Sequence, residues 1–298
     1  MKPIGILLFT GLFLIACSNE HAITEQEHLA EVEAWHEHRI NSLSAERGWL
    51  RLAGLFWLEH GETPFGSSAE HMIRFPEGSI AAFAGTILYE NELITVTPAS
   101  DVEIFVDGLL LSEPITFHKT ESPEFTQGRL AWSFLTRDEL TGLRLYDQES
   151  YVFTNFQGIE RFPVDLSWRI VATLRPHAQP TEIPIVNILG QTGYVPSPGM
   201  LEFTIEDKNF QLIALEAANN RLFIILGDET NRDLTYQGGR YMYIDNPGPN
   251  RSVVLDFNKA YNPPCAFSEY TTCQLPPPEN RLALRVEAGE KRYVQPTK

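Results

Sequence analysis

Hydrophobic and polar residues follow two periods along this chain, a helical one near the N-terminus and an alternating one further on. From Thr24 onward, apolar residues such as Leu29, Val32 and Leu43 recur at helical spacing. Thr24 is followed three residues later by Glu27, which matches the capping box that begins many helices. The sequence therefore predicts one amphipathic helix ahead of a mostly β protein.

The chain after about residue 48 consists of short β-type segments bounded by Gly, Pro and Asn. The longest alternating run extends from Phe162 to Leu174, where every even position is apolar. One buried face and one mixed face favour antiparallel sheet, and strands do not alternate with helices as in a parallel α/β domain. The other clear segments are LITV, VEIFV, LRLYD, FQLIAL, RLFIIL, RYMYI and SVVLDF.

Length and composition predict more than one folded unit. The 298 residues, of which 43% are hydrophobic, exceed what a single core usually organises. We expect a linker and the amphipathic helix over residues 17–47, and a β-sandwich over residues 48–138. A second antiparallel β domain, either a sandwich or an open barrel, is expected over residues 139–298.

The segment from Leu58 to Pro114 resembles a forkhead-associated β-sandwich in the order of its strands and turns: Gly66-Ser67, then MIRFP, ELITV and VEIFVDG. The resemblance implies a module of two packed sheets. The position of that family's phosphothreonine-binding arginine falls near Ser67, and its Ser-x-x-His motif has no counterpart in GSIAAFAG. We therefore expect a scaffold that does not bind phosphopeptides.

The first residues predict export. Lys2 precedes an apolar run, Ile4 to Ile15, that is too short for a permanent membrane span. The run ends in LIAC, which resembles a bacterial lipobox and implies that residues 1–16 are a signal peptide and that Cys17 carries the lipid anchor. Because Ser18 follows in place of the aspartate that retains lipoproteins in the inner membrane, we expect the periplasmic face of the outer membrane. The alternative is an ordinary secretory signal whose cysteine is incidental.

The charge and the motifs exclude several classes of function. A formal net charge of −16 argues against nucleic acid as a partner, because phosphate binding requires a basic surface. No dinucleotide, P-loop, nucleophile-elbow or HExxH motif occurs, so we expect no cofactor. His36 and His38 of the predicted helix point to different sides, so we expect no metal site there. A Ser–His–Asp arrangement stays open, because it is defined in space.

Two cysteines remain once Cys17 is assigned to lipid. Cys265 and Cys273 lie eight residues apart in a proline-rich loop, and in an oxidising compartment this predicts a disulfide. Metal ligation is the alternative. No histidine follows His177, however, and the spacing differs from the paired Cys-x-x-Cys of structural zinc sites.

Two sets of motifs, one near each end of the chain, carry a further resemblance. YNPPCAF followed by CQLPPPENRL stands near the C-terminus, and Trp35, Arg39 and the segment GWLRLAGLFWLEHG stand near the N-terminus. Together they resemble bacterial domain-of-unknown-function family 1684. The resemblance implies a mostly β, often exported protein, and it implies no activity and no residue role.

Polar residues in and before the C-terminal motif form the candidate site. If Arg240 points inward it needs a carboxylate, for which Asp256 and Glu279 are the candidates. One interpretation is a pocket that binds a small-molecule or glycan ligand through arginine and amide groups. The candidate residues are Tyr236, Arg240, Asp256, Asn258, Tyr261, Asn262, Glu279, Asn280 and Arg281.

The competing interpretation is a loop whose polar side chains satisfy one another and the backbone. From the sequence we expect an envelope protein with a non-catalytic binding or structural role. The second hypothesis is a hydrolase of a small or carbohydrate-like substrate, in which Asp256 and Glu279 supply two carboxylates of different pKa beside Arg240.

Overall fold

The computed structural model of the protein describes residues 23–137 and 139–296, so the predicted signal peptide and Cys17 lie outside the described residues. The predicted helix, α1, spans Glu25–Ser44. Its capping box is present, because Thr24 Oγ1 accepts from the Glu27 N–H at 3.2 Å and the Glu27 carboxylate accepts from the Thr24 N–H at 3.0 Å. Within the described part of the chain, no helix is both long and apolar enough to cross a membrane.

Eleven strands of the described residues form the N-terminal unit: β1 (Leu52–Trp57), β2 (Gly61–Gly66), β3 (Ile73–Arg74), β4 (Gly85–Glu90), β5 (Leu93–Pro98), β6 (Phe105–Val106), β7 (Leu109–Leu110), β8 (Ile115–His118), β9 (Phe125–Gln127), β10 (Leu130–Arg137) and β11 (Leu140–Asp147). They lie in two sheets, ordered β1-β11-β10-β9-β6-β7 and β3-β2-β4-β5-β8. Phe65, Trp132 and Leu145 belong to one core shared by both sheets. The predicted β-sandwich is confirmed.

The sandwich extends further along the chain than predicted. Strands β10 and β11 form a hairpin, paired from Leu130 with Asp147 to Arg137 with Leu140, and β11 also pairs with β1. The predicted boundary between residues 138 and 139 therefore cuts through this hairpin. Leu143 of β11 fills the sandwich core, which is why the strand belongs to the first unit. A short helix, α2 (Tyr151–Thr154), follows.

Six strands form the C-terminal unit: β12 (Arg169–Val186), β13 (Thr192–Ile205), β14 (Lys208–Ala217), β15 (Arg221–Leu226), β16 (Arg240–Asp245) and β17 (Ser252–Asp256). Their order is β16-β15-β14-β13-β12-β17, and the sheet curls until its two edge strands, β16 and β17, approach each other. Leu201, Ile224 and Leu255 are among the side chains that fill the interior. Of the two predicted architectures, the open barrel is the one observed.

The longest predicted strand is displaced. Strand β12 begins only at Arg169, because Leu166–Trp168 form a 3₁₀ turn. The Asp165 carboxylate accepts from the Ser167 N–H at 2.8 Å, a local side-chain bond that competes with strand pairing. The alternation from Phe162 to Trp168 therefore does not correspond to a strand, whereas the strand itself continues to Val186.

Helix α1 packs on the barrel as well as on the start of the sandwich. His28 Nε2 lies 2.9 Å from the carboxylate of Asp256 at the end of β17. The Arg161 guanidinium donates to Glu33 at 2.5 Å, and Lys259 forms an ion pair with Glu31. Polar contacts from His28, Glu31 and Glu33 thus attach the helix to the C-terminal half of the chain.

Candidate functional site

The arginine predicted to bind a ligand lies in a buried ion pair at one end of the barrel. Arg240 is 0% exposed, and its Nη2 donates to Asp228 Oδ2 at 2.8 Å and to the Val286 carbonyl at 2.9 Å. Nη1 donates to the Ala288 carbonyl. Burial away from water lowers the pKa of the guanidinium, and the charge of Asp228 opposes that effect. The guanidinium therefore joins β16 to the C-terminal segment.

The predicted inward orientation of Arg240 is confirmed, but the predicted partners are wrong. The carboxylate is supplied by Asp228, 12 residues earlier, and not by Asp256 or Glu279. Asp228 is held by a 3₁₀ turn, because its Oδ1 accepts from the Thr230 N–H at 2.8 Å.

Asp256 and Asn258 connect three separate segments of the chain. Asp256 contacts His28 of α1, as described, and its Oδ1 accepts from the Asn258 N–H at 3.1 Å. Asn258 Oδ1 accepts from the Asp165 N–H at 3.0 Å, and Asn258 Nδ2 donates to the Asp165 carbonyl at 2.9 Å. Both predicted residues are buried and organise the fold around β17, and Asp256 also lines a cavity of about 360 Å³ beside Arg169.

Asn262 and Tyr261 belong to a network built around a buried carboxylate, Glu290. Glu290 Oε2 accepts from the Asn262 N–H at 2.7 Å, and Oε1 accepts from Arg39 Nε at 3.2 Å. The Arg39 guanidinium also lies 4.5 Å from the centroid of the Tyr261 ring, and burial raises the pKa of that phenol. Arg39, a residue of the N-terminal motif, therefore binds the C-terminal motif directly.

Asn280 completes the backbone pairing of two barrel strands. Its Oδ1 accepts from the Ile213 N–H at 2.6 Å, and its Nδ2 donates to the carbonyls of Ile213 and Ile225 at 3.1 Å each. Strands β14 and β15 pair directly only from Leu215 to Ala217 on the β14 side. The Asn280 amide thus substitutes for ladder bonds where those strands separate.

The remaining three predicted residues lie elsewhere. Glu279 and Arg281 are exposed and border a depression of about 930 Å³ that is also lined by Phe210. Tyr236 packs, half-buried, in an apolar cluster with Phe267. The nine candidate residues therefore do not surround one cavity. The five that are buried are Arg240, Asp256, Asn258, Asn262 and Asn280.

A different cavity, here called the interdomain cleft, lies between the sandwich and the barrel and has a volume of about 470 Å³. The sandwich supplies Arg137 and Arg144 from β10 and β11, with Trp49 beside them. The barrel supplies the β12–β13 hairpin and residues 264–274, here called the stapled loop. The lining residues are Trp49, Arg137, Arg144, Ile185, Asn187, Gln191, Gly193, Tyr194, Val195, Tyr241, Pro264, Thr271, Thr272, Cys273 and Gln274.

The stapled loop forms one wall of the interdomain cleft. Cys265 and Cys273 are joined in a disulfide, with Cα atoms 6.0 Å apart. The Ile188 N–H donates to the Cys273 carbonyl at 2.9 Å, which attaches the β12–β13 hairpin to the loop. The Tyr241 hydroxyl donates to the Gln274 carbonyl at 2.8 Å, which attaches β16. The disulfide thus closes a loop that hydrogen bonds attach to the β12–β13 turn and to β16.

The charged side chains that line the interdomain cleft are all cationic. None of its lining residues is Asp or Glu, whereas Arg137 and Arg144 are both present. The Arg144 guanidinium lies 5.5 Å from the Trp49 ring centroid, and its Nε is buried without a hydrogen-bond partner among the described residues. Burial raises the pKa of the Tyr241 phenol, so this residue adds no negative charge. Such a site favours an anionic group.

The sequence offered little signal for this cleft. Its residues come from positions 49, 137–144, 185–195, 241 and 264–274, and no local motif joins them. Trp49 and Cys273 do belong to the motifs that carry the family resemblance. Arg144, which interrupts the apolar run of β11, was the usable signal, because a cation between buried strand residues needs either a partner or a ligand.

The described residues give little support to a serine nucleophile activated by histidine or to a metal site. His177 Nε2 lies 2.9 Å from Ser197 Oγ, but that hydroxyl donates to the Ala214 carbonyl at 2.7 Å, so its proton points away from the imidazole. Residues 23–137 and 139–296 contain no group of three or more His, Cys, Asp or Glu side chains placed to hold a metal ion.

Comparisons with known proteins give a family and no activity. No curated protein matches the chain. The solution NMR structure of an uncharacterized protein from Haloarcula marismortui is 30% identical, with 46% of this chain and 78% of that chain covered and a TM-score of 0.39. A family model described as "Protein of unknown function (DUF1684)" matches residues 154–291, so Trp35, Arg39 and the segment around Trp49 lie outside the match. Through its barrel unit, the chain belongs to the DUF1684 family.

Proposed function

We propose that this protein is an envelope lipoprotein that binds a small ligand in the interdomain cleft without chemical turnover. The observation that carries the proposal is the cleft itself, whose volume of about 470 Å³ lies in the range of small-molecule sites. Its walls are two β units and a disulfide-closed loop, so the site is formed before a ligand arrives. A preformed site keeps the entropic cost of binding low.

The geometry gives the hydrolase hypothesis less support. Asp256 is buried against His28, whereas Glu279 is exposed at the depression near Phe210. Arg240 is held by Asp228 and by two backbone carbonyls. A hydrolase of the proposed kind needs two carboxylates on either side of the scissile bond, and these two residues do not meet around one cavity.

The membrane-anchor part of the proposal rests on the LIAC sequence that ends at Cys17. Two or more acyl chains on that cysteine would hold the protein at a membrane surface, which we propose is the periplasmic face of the outer membrane. Phosphopeptides and nucleic acids are not proposed as partners.

We expect the full-length chain, expressed in a Gram-negative host, to incorporate radiolabelled palmitate and to accumulate as an unprocessed precursor in globomycin. Cys17→Ala should abolish both effects, because the thiol that receives the lipid is lost. Fractionation on a sucrose gradient then locates the mature protein. Processing and soluble export that are unchanged in Cys17→Ala would contradict the anchor.

Binding in the interdomain cleft predicts a specific effect of Gly193→Phe. A Cβ at Gly193 meets no atom within 4 Å, so the variant should fold normally while its ring occupies space in the cleft. Compounds that raise the melting temperature of the parent protein in a thermal-shift screen should lose that effect in the variant.

Gly248→Phe is the matched control, because a Cβ there meets only the Asn250 side chain, at 3.6 Å, in the loop between β16 and β17. This control should respond to ligands like the parent. If ligands stabilise Gly193→Phe as much as the parent, they bind outside the cleft and the proposed site is wrong.

A further inference from the structure

We infer that the ligand of the interdomain cleft is an organic anion, a carboxylate or phosphate attached to a flat apolar body, and that Arg144 binds its charged group. This inference rests on the proposed function, since it names the class of ligand for the same site. It begins with the sign of the charge. The chain carries 39 acidic and 23 basic residues, yet the cleft is lined by two arginines and by no acid. A cleft whose lining charges are all cationic offers an anion a site that an otherwise acidic chain rarely provides.

Arg144 differs from five of the six other arginines that have a buried nitrogen without a hydrogen-bond partner. In those five, the guanidinium forms an ion pair with a carboxylate, and the pairs are Arg47–Glu124, Arg129–Asp147, Arg161–Glu33, Arg221–Asp245 and Arg240–Asp228. Arg144 forms no ion pair with a described residue. A partly buried guanidinium without a carboxylate is costly, and an anionic ligand would remove that cost.

The orientation of Arg144 suits recognition of a planar anion. The residue is held in the middle of a sheet, opposite Leu55 of β1 and Ser133 of β10. Its guanidinium lies over the Trp49 ring, which restricts the plane of the group. A guanidinium fixed in this way presents parallel N–H donors that match the two oxygens of a carboxylate or phosphate.

The other lining residues indicate the rest of the ligand. Ile185, Val195 and Pro264 contribute apolar surface, and Trp49, Tyr194 and Tyr241 contribute aromatic surface. The side-chain amides of Asn187 and Gln191 lie at the same cleft, although they also bond to each other at 2.8 Å. An inorganic anion alone would leave this apolar surface in water, so a ligand with a ring or a similar flat body is the better match.

The experiment compares four probes by NMR of the mature protein labelled with ¹⁵N. Benzoate and phenyl phosphate carry both a ring and an anion, benzamide carries the ring alone, and acetate carries the anion alone. We expect the arginine Nε–H signal that is missing in Arg144→Gln to shift saturably with benzoate or phenyl phosphate. Benzamide and acetate should each bind at least tenfold more weakly, because benzamide lacks the anionic group and acetate lacks the ring. The stronger of the two anionic probes identifies the charged group.

Arg144→Gln should lower the affinity for the better anionic probe by tenfold or more. Arg175→Gln, which removes an exposed arginine paired with Glu202, should bind that probe with the affinity of the parent. Benzamide binding as tightly as benzoate, unchanged affinity in Arg144→Gln, or no binding of any probe would overturn the inference. If a neutral compound shifts the Arg144 signal and loses its effect in Gly193→Phe, the cleft is still the ligand site and only the anionic class is wrong. If no compound of a broad library acts at the cleft, the proposed function fails as well.

Discussion

Replacing Arg240 with methionine should lower the free energy of unfolding by about 3–5 kcal/mol. The substitution would leave the Asp228 carboxylate buried without a counter-charge, and the carbonyls of Val286 and Ala288 without their donor. Each of these groups is removed from water, so none can recover its lost bond by solvation. Urea unfolding followed by tryptophan fluorescence measures the change as a shift of the transition midpoint.

Two further variants distinguish the loss of the ion pair from a loss of packing as the cause of the lower stability. Arg175→Met removes an exposed arginine, 71% accessible at its side chain and paired with Glu202, and should cost less than about 1 kcal/mol. The double variant Arg240→Met with Asp228→Leu should recover part of the stability, because no unpaired charge remains. If Arg240→Met unfolds at the same urea concentration as the parent, the buried pair does not hold the barrel end together.

Replacing both Cys265 and Cys273 with serine should lower the free energy of unfolding by about 2.5 kcal/mol, the chain-entropy contribution for a loop of this length. The effect should extend to the interdomain cleft, because the loop accepts the bond from the Ile188 N–H and the Leu275 N–H, directly after the loop, donates to the Val186 carbonyl. We expect hydrogen exchange at Ile188 and Leu275 to accelerate, and ligands of the cleft to bind more weakly.

A reductant supplies the control for this double variant. Dithiothreitol should lower the stability of the parent to that of the variant and leave the variant unchanged, since only the parent has a bond to reduce. Hydrogen exchange at the two amides that is identical in the parent and the variant would contradict a role for the disulfide in the wall of the cleft.

Local patterns in the sequence predicted the individual elements well. Helix α1 begins where the Thr24 and Glu27 pair predicted, because both halves of a capping box lie within four residues of each other. Strand β16 places Met242 and Ile244 inside the barrel and Tyr241 outside, in the alternation that a strand imposes on successive side chains. The pattern misled where Asp165 closes a 3₁₀ turn, because alternation alone does not distinguish a strand from a capped turn. It also overestimated VEIFV, of which only Phe105–Val106 form a strand.

The partners of the polar residues could not be predicted in the same way. Arg240 pairs with Asp228 only because β15 and the turn after it bring position 228 back against β16. Asn280 bonds to Ile213 and Ile225, 67 and 55 residues away. The dense set of polar residues in the sequence thus indicated buried hydrogen bonds. The open cleft left no such local pattern, because its residues come from both units of the fold.

A crystal structure of the mature protein grown with phenyl phosphate tests most directly whether the interdomain cleft is the ligand site. We predict density for the phosphate oxygens within hydrogen-bonding distance of the Arg144 guanidinium, at roughly 2.7–2.9 Å, with the ring between the β12–β13 hairpin and the stapled loop. Density for phenyl phosphate in the depression beside Glu279 and Arg281, together with an empty cleft, would contradict the assignment.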